Sequence, residues 1–285
     1  MCLIAWRWNP QSATPLLWAG NRDEFAHRAT AAQSVWAHDD VSVLSGLDLA
    51  AEPHHGVRGT WAGCADTGKF AWLTNIRSHN DKNPTAPSRG FLVSDYLLGS
   101  ASPAQFIEQL KPKAQRFNGF NLVIGYVDNA APADSQCWHY NSRKNAANQL
   151  NPGIYGLSNA DLDTPWPKTL ALVHSLNIVC ATLQPHLAPQ DSHCNALFDA
   201  LNNRAIYPAD TLPSTGLSIE REQQLSAAFI ATQFQSPADD SALIAYGTRS
   251  SVVAWFHARQ FSQLERSFAA NGDLVQQSRY SLSSS

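Results

Sequence analysis

The stretch Gly119 to Val127, Gly-Phe-Asn-Leu-Val-Ile-Gly-Tyr-Val, is almost continuously apolar, the pattern of a strand buried on both faces. A chain with such a strand must cover both sides of a sheet, and its other segments supply the cover. Cys137 to Asn141 is expected to pair with it. Before it, Thr60 to Cys64, the turn Asp66-Thr67-Gly68 and Lys69 to Asn75 form a hairpin around a Gly-containing loop. Leu3 to Trp8 and Pro15 to Ala19, separated by turn-forming Asn9 to Thr14, form another, and Ser42 to Leu47 reads as a short strand.

Helix signals fall between these strands. Ser88 is placed to cap a helix from Gly90 to about Leu98, and Ser102 one to about Leu110. Asp163 or Thr164, with proline in the first turn, opens a helix to about Val179. Ser192 to Asn202 reads as another, and Ser218 with Glu222 as a short one, one residue too long for a capping box. Gly153 to Asn159 is a strand ending on Asn. Four strands close the chain, Ser226 to Phe234, Ala242 to Thr248, Ser250 to Ala258 and Leu264 to Phe268, then an Asn271-Gly272 turn, Leu274 to Tyr280 and a frayed tail, Ser281 to Ser285. The order strands, helices, strands, helices, strands favours a layered α+β architecture over βαβ alternation. With no internal repeat or linker, residues 1–285 are expected to form one domain.

The composition narrows the partners. A net charge of −3 with both signs dispersed gives no basic stripe for nucleic acid. Arg7, Asn9 and Pro10 interrupt the first apolar run, so no signal peptide is expected, and no stretch reaches the ~18 apolar residues of a membrane-spanning helix. Cysteines 2, 64, 137, 180 and 194 are odd in number and lack CxxC spacing, so a reducing cytoplasmic setting is expected rather than a disulfide framework. His186, His193 and Cys194 are irregularly spaced, and no metal site is expected there. His54-His55 reads as a surface pair. The nine tryptophans read mainly as core, with some available to a pocket.

The chemistry concentrates at the N-terminus. If Met1 is removed, Cys2 carries a thiol of pKa ~8.5 beside an α-amine of pKa ~7.7–8.0, a nucleophile bearing its own base. Catalysis would further need oxyanion donors, a charge to orient amine and thiol, and an acyl pocket. Asn21-Arg22-Asp23-Glu24 offers charge at the end of the second strand. Neighbouring strand residues face opposite ways, so Arg22 and Asp23 reach one site only if the backbone bends, and Gly20 is the expected place. The plainer alternatives stand beside this reading: Cys2 as a small apolar strand residue, and Arg22 and Asp23 as a solvated pair.

Met1-Cys2, Asn21 to Glu24, Gly59-Thr-Trp61, Leu73-Thr-Asn75-Ile-Arg77, Ser88-Arg-Gly90, Asn118 to Leu122, Gly156-Leu-Ser-Asn159, Asp163 to Lys168, Leu212-Pro-x-Thr215-Gly216 and Tyr246 to Ser251 together closely resemble the NRDE family, also called the transport and Golgi organisation family. The resemblance covers nearly the whole chain. It implies a four-layer αββα fold of the N-terminal nucleophile hydrolase type, similar to cysteine amidases that cleave bile-salt conjugates and penicillin V. It implies Cys2 as nucleophile, Arg22 and Asp23 as its orienting charges, Asn75 and Asn159 as oxyanion donors, and Arg249 as a further site cation. Otherwise Asn75 and Asn159 are ordinary turn formers and Arg249 a structural ion pair. Gly46-Leu47-Asp48 departs from the family's common Gly-Arg-Asp, which puts a charged contact near Asp48 in question. The expected activity is hydrolysis of an amide or thioester of a small or lipid-like substrate without a required cofactor. The alternative is a non-catalytic carrier of haem, acyl-lipid or acyl-CoA in the same pocket. The oligomeric state is left open.

Overall fold

The computed structural model describes residues 3–77, 83–184, 186–236 and 239–284. Met1, Cys2, residues 78–82, Pro185, residues 237–238 and Ser285 lie outside the described residues. In chain order come β1 (Leu3–Trp8), β2 (Leu16–Phe25), β3 (Thr30–His38), β4 (Val41–Asp48), β5 (Ala62–Ala65) and β6 (Lys69–Asn75). Helices α1 (Gly90–Leu98) and α2 (Pro103–Leu110) follow, then β7 (Phe120–Tyr126), β8 (Gln136–Asn141), β9 (Ala146–Gln149) and β10 (Gly153–Leu157). The last part holds α3 (Pro167–Thr182), α4 (Asp191–Leu201), α5 (Ile219–Gln224), β11 (Ala231–Ser236), β12 (Asp239–His257), β13 (Gln260–Phe268) and β14 (Leu274–Ser283).

These strands form two antiparallel sheets. One is a meander of consecutive strands, β3 to β9. The other joins the two ends of the chain in the order β10-β1-β2-β12-β13-β14, with β11 also paired to β12. Side-chain alternation then sorts the core into three slabs. Ile4, Trp6, Trp18, Trp72, Val123 and Val252 fill the space between the sheets. Leu3, Ala5, Leu17 and Ala19 face α3 and α4 through Leu172, Leu176, Leu197 and Phe198. Leu73, Leu122 and Ile124 face α1 and α2 through Leu92, Tyr96, Ile107 and Leu110. The architecture is therefore a four-layer αββα sandwich of mainly antiparallel sheets.

The buried strand keeps its expected place: β7 is fully enclosed at Phe120, Leu122, Val123 and Ile124, with faces in two different slabs. The tryptophans fill core, with Trp6 and Trp18 centroids 5.4 and 5.6 Å from Trp72. Ser102 closes a capping box with Gln105 at the start of α2.

Several local expectations are corrected. Strand β2 runs through Gly20 without a break, because Gly20 is paired on both sides, to Ile4 and to Val252. The two strands expected over residues 242–258 are one, β12, interrupted by a bulge at Arg249. Trp166, not Asp163 or Thr164, occupies the N-cap of α3. Asp163 instead takes φ +55° and accepts a 2.8 Å bond at Oδ1 from the Gly156 amide, a turn role that Asp fills at small steric cost. The cap of α1 is Arg89, while Ser88 Oγ accepts from the Gly90 amide at 3.4 Å. In the expected tail, residues 281–283 continue β14 and the Ser284 amide donates to Arg259 O at 2.8 Å. Strands β3 and β9, absent from the sequence reading, lie at the two edges of the meander, where one-sided exposure blurs the apolar pattern.

Candidate active site

The site is built where β1 begins. Leu3 pairs with Asn21 of β2, so Arg22 and Asp23 follow directly beyond the described start of β1. Asn21 is fully buried and turned toward the helices: its Nδ2 donates to Leu201 O (2.9 Å) and Ala228 O (2.8 Å), and its Oδ1 accepts from Ser251 Oγ at 2.6 Å. That clamp sets the facing of the residues after it.

Arg22 turns the opposite way from Asn21 and lays its guanidinium over the Trp61 ring, 4.5 Å from the centroid. Its Nη2 lies 3.9 Å from Glu24 Oε2. Asp23 accepts at Oδ1 from Thr248 Oγ1 at 2.7 Å, and the same hydroxyl accepts from the Ile230 amide at 3.0 Å. The register of β2 against β12 shifts at this point. Asp23 pairs with Thr248 but Arg22 pairs with Ser250, leaving Arg249 as the extra residue of the bulge. Both Arg22 and Asp23 are buried, and both line a cleft of about 430 Å³.

Charge of both signs surrounds that cleft. Arg22, Arg28 and Arg89 face Asp23, Glu24 and Asp48, with Trp61, Asn75 and Tyr246 completing the wall. Arg28 Nη2 lies 2.6 Å from Asp48 Oδ2 and its Nε 3.7 Å from Glu24 Oε2. Asp48 thus obtains a cation from Arg28 despite Leu47 at the neighbouring position. Behind Arg22, the buried Glu265 accepts at Oε2 from the Gln33 amide at 2.9 Å. Burial pushes its carboxyl up to about 6, against hydrogen bonds from Gln33 and Ser250 and the charge of Arg22.

Asn75 ends β6 and lines the cleft. Asn159 stands behind it: its Nδ2 donates to Asn75 O at 3.1 Å, while its Oδ1 accepts from Arg77 Nη2 at 3.1 Å. The Arg77 amide donates to Asn159 O at 2.8 Å, and Arg77 Nη1 lies 2.5 Å from Glu222 Oε2. Glu222 is 2% exposed, and its Oε1 accepts from the amide and hydroxyl of Thr215. Sequence reasoning missed Arg77 and Glu222 as site-supporting residues. Both sat in view, Arg77 within the Leu73 to Arg77 motif and Glu222 weighed as a helix-start residue. Ser218 caps α5 by accepting from the Arg221 amide, which leaves Glu222 to face Arg77.

Of the residues singled out from sequence, Arg22, Asp23 and Asn75 share the cleft, Asn159 touches it through Asn75, and Cys2 lies outside the described residues. Arg249 is not among the residues that line this cleft. It lines a small depression with Ile230, Thr248 and Gly272, and its buried Nη1 has no hydrogen-bond partner among the described residues. The four described cysteines are free. Burial raises all their thiols, Cys180 and Cys194 to about 11 and Cys64 and Cys137 further still. His193 Nδ1 accepts from the Gln190 amide at 3.0 Å at the start of α4, and Cys194 packs into the core.

A sequence profile described as Transport and Golgi organisation 2 matches residues 1–270. The chain belongs to this family. Its relatives include the human Transport and Golgi organization protein 2 homolog, 32% identical over 259 residues, covering 89% of this chain and 87% of the relative. The mouse Transport and Golgi organization 2 homolog is 34% identical over 207 residues, 71% and 72% of the respective chains. Solved structures similar to this family member are more distant. Penicillin V acylase from Agrobacterium tumefaciens aligns with a TM-score of 0.43 at 12% identity over 99% of this chain and 86% of its own. A variant of conjugated bile acid hydrolase from Clostridium perfringens aligns at 0.40 and 9%, over 98% and 96%. Among the described residues of this family member, no helix is long and apolar enough to cross a membrane.

Proposed function

We propose that this protein is an N-terminal cysteine hydrolase that cleaves an amide or thioester of a small or lipid-like substrate once Met1 has been removed. The observation that carries the reading is the convergence of buried Arg22 and Asp23 on one cleft, directly beyond the Leu3–Asn21 pair. Cys2 is one peptide bond from Leu3. In the proposed cycle the α-amine takes the Cys2 thiol proton, and the thiolate attacks the substrate carbonyl. Arg22 favours the thiolate and Asp23 holds the ammonium. Asn75, on the facing wall, stabilises the tetrahedral oxyanion. Collapse of that intermediate breaks the C–N or C–S bond, the ammonium proton goes to the leaving amine or thiolate, and an acyl-thioester remains on Cys2. Water, deprotonated by the same amine, then releases the carboxylic acid and restores the thiol. Three arginines and three carboxylates around the cleft favour a substrate with a polar end. The free described thiols fit a cytoplasmic setting.

The test is intact mass with and without brief iodoacetamide near neutral pH, followed by peptide mapping and a panel of thioesters and amides. The expected result is a chain lacking Met1, with Cys2 alkylated far faster than Cys64, Cys137, Cys180 and Cys194, whose raised thiols stay protonated. Retained Met1 or an inert Cys2 rejects the hydrolase. The carrier of haem, acyl-lipid or acyl-CoA would then take its place, to be sought by titrating haem and following the Soret band.

A further inference from the structure

Asn159 is tied to the protein at both ends of its side-chain amide. Its amide nitrogen holds the Asn75 carbonyl at 3.1 Å, and its oxygen is held by Arg77 Nη2 at 3.1 Å and by Ser158 Oγ at 3.3 Å. The Arg77 backbone amide adds a fourth tie, to Asn159 O at 2.8 Å. Asn75 lines the cleft and Asn159 does not. Arg77 is itself fixed by Glu222, whose carboxylate is removed from water and engaged on its other oxygen by Thr215. An ion pair this enclosed is held by geometry, since loss of either partner leaves a buried charge exposed to no counter-ion. The Arg77 guanidinium also lies over the Trp166 ring at 5.5 Å, which restricts its plane.

We propose that Glu222, Arg77 and Asn159 form a positioning chain that fixes the end of β6, so that Asn75 meets the substrate and Asn159 acts through it rather than on the oxyanion. The inference rests on the hydrolase reading above. It departs from the direct oxyanion role that the family resemblance implied for Asn159. The chain also gives the Leu212 to Gly216 segment a task, because Thr215 orients the carboxylate on which the rest depends.

The physical consequence is specific. Displacing a donor wall by a fraction of an ångström weakens transition-state contacts more than ground-state ones, so kcat should fall while KM holds. Activation of Cys2 runs through Arg22 and Asp23 on the other sheet and should not change. The experiment compares wild type, Glu222→Gln and Thr215→Val by thermal melting, by the rate of Cys2 alkylation, and by kcat and KM on whichever thioester or amide of the panel turns over. The expected result is unchanged alkylation in both variants, with kcat lowered on the order of 10- to 100-fold in Glu222→Gln and several-fold in Thr215→Val, and KM within about twofold. Unchanged kcat in a folded Glu222→Gln variant overturns the positioning chain. If that variant does not fold, Thr215→Val decides, and wild-type kcat there overturns it equally. Fast Cys2 alkylation alongside unchanged kcat removes only this inference, whereas an inert wild-type Cys2 removes the hydrolase reading and the positioning chain with it.

Discussion

The guanidinium of Arg22 rests on the face of Trp61, 4.5 Å from its centroid, and Trp61 can lie there only because position 46 is glycine. A β-carbon at Gly46 would stand 2.4 Å from Trp61 Cη2 and 2.9 Å from Ala31 O. One wall of the cleft therefore depends on a missing methyl group.

Gly46→Ala should move Trp61 or strain β4, at a cost of ~1–3 kcal/mol as in other overpacked cores. A lowered melting temperature together with a changed Trp fluorescence spectrum is the expected outcome. A variant that melts like wild type would mean that the strand yields without disturbing Trp61.

Thr248 bridges Asp23 to the Ile230 amide through one hydroxyl. Thr248→Val keeps the shape but leaves a buried carboxylate oxygen and a backbone donor without that partner. The expected loss is ~1–3 kcal/mol by chemical denaturation, with slower alkylation of Cys2 if Asp23 orients the α-amine.

His139 is buried against Asn121, 3.1 Å from its Oδ1. Burial lowers its pKa to about 4 from the usual 6.5, with Asp161 opposing and Lys144 adding to the shift. The folded state therefore binds fewer protons than the unfolded chain between those values. The contribution is fully present above pH 6.5 and is lost as pH falls through 4, ~3 kcal/mol in all. Stability measured by urea titration should decline across that window in wild type, and the decline should be much smaller in His139→Gln.

Glu265 has the opposite sign. Its carboxyl is raised to about 6 from 4.5, so the folded state holds the proton more tightly than the unfolded one. Stability from this group is present below pH 4.5 and is lost as pH rises through 6. Glu265→Gln retains an acceptor for the Gln33 amide and should stabilise the protein at pH 7 by up to ~2 kcal/mol, with little effect at pH 4. Equal effects at both pH values would show that packing rather than ionisation governs the site.

Much of this organisation is legible in local sequence. The apolar run at β7 demanded cover on both faces and has it. Lys69 to Asn75 and Gly90 to Leu98 keep their expected bounds, because the strand begins after a glycine turn and the helix after a polar loop. The motifs that resemble the family also brought Arg22, Asp23 and Asn75 to notice before any contact was known. Periodicity reports which face a residue occupies, and those signals are local.

Other features were decided only by tertiary structure. Arg22 and Asp23 share a cleft although β2 runs through Gly20 without a break, and Asp23 meets its hydroxyl partner Thr248 only across 225 residues of chain. Arg249, the extra residue of the β12 bulge, lines a separate depression with Ile230, Thr248 and Gly272. Asn159 became a support for Asn75 because Arg77 and Glu222 meet across 145 residues of chain. Hydrogen bonds between side chains on different strands leave no periodic trace, since each partner looks like an ordinary polar residue until the sheets bring them together. The sequence by itself determined the layers and the residue types available to the site; the pairing of β2 with β12 and the burial of Glu222 decided which of them face the cleft.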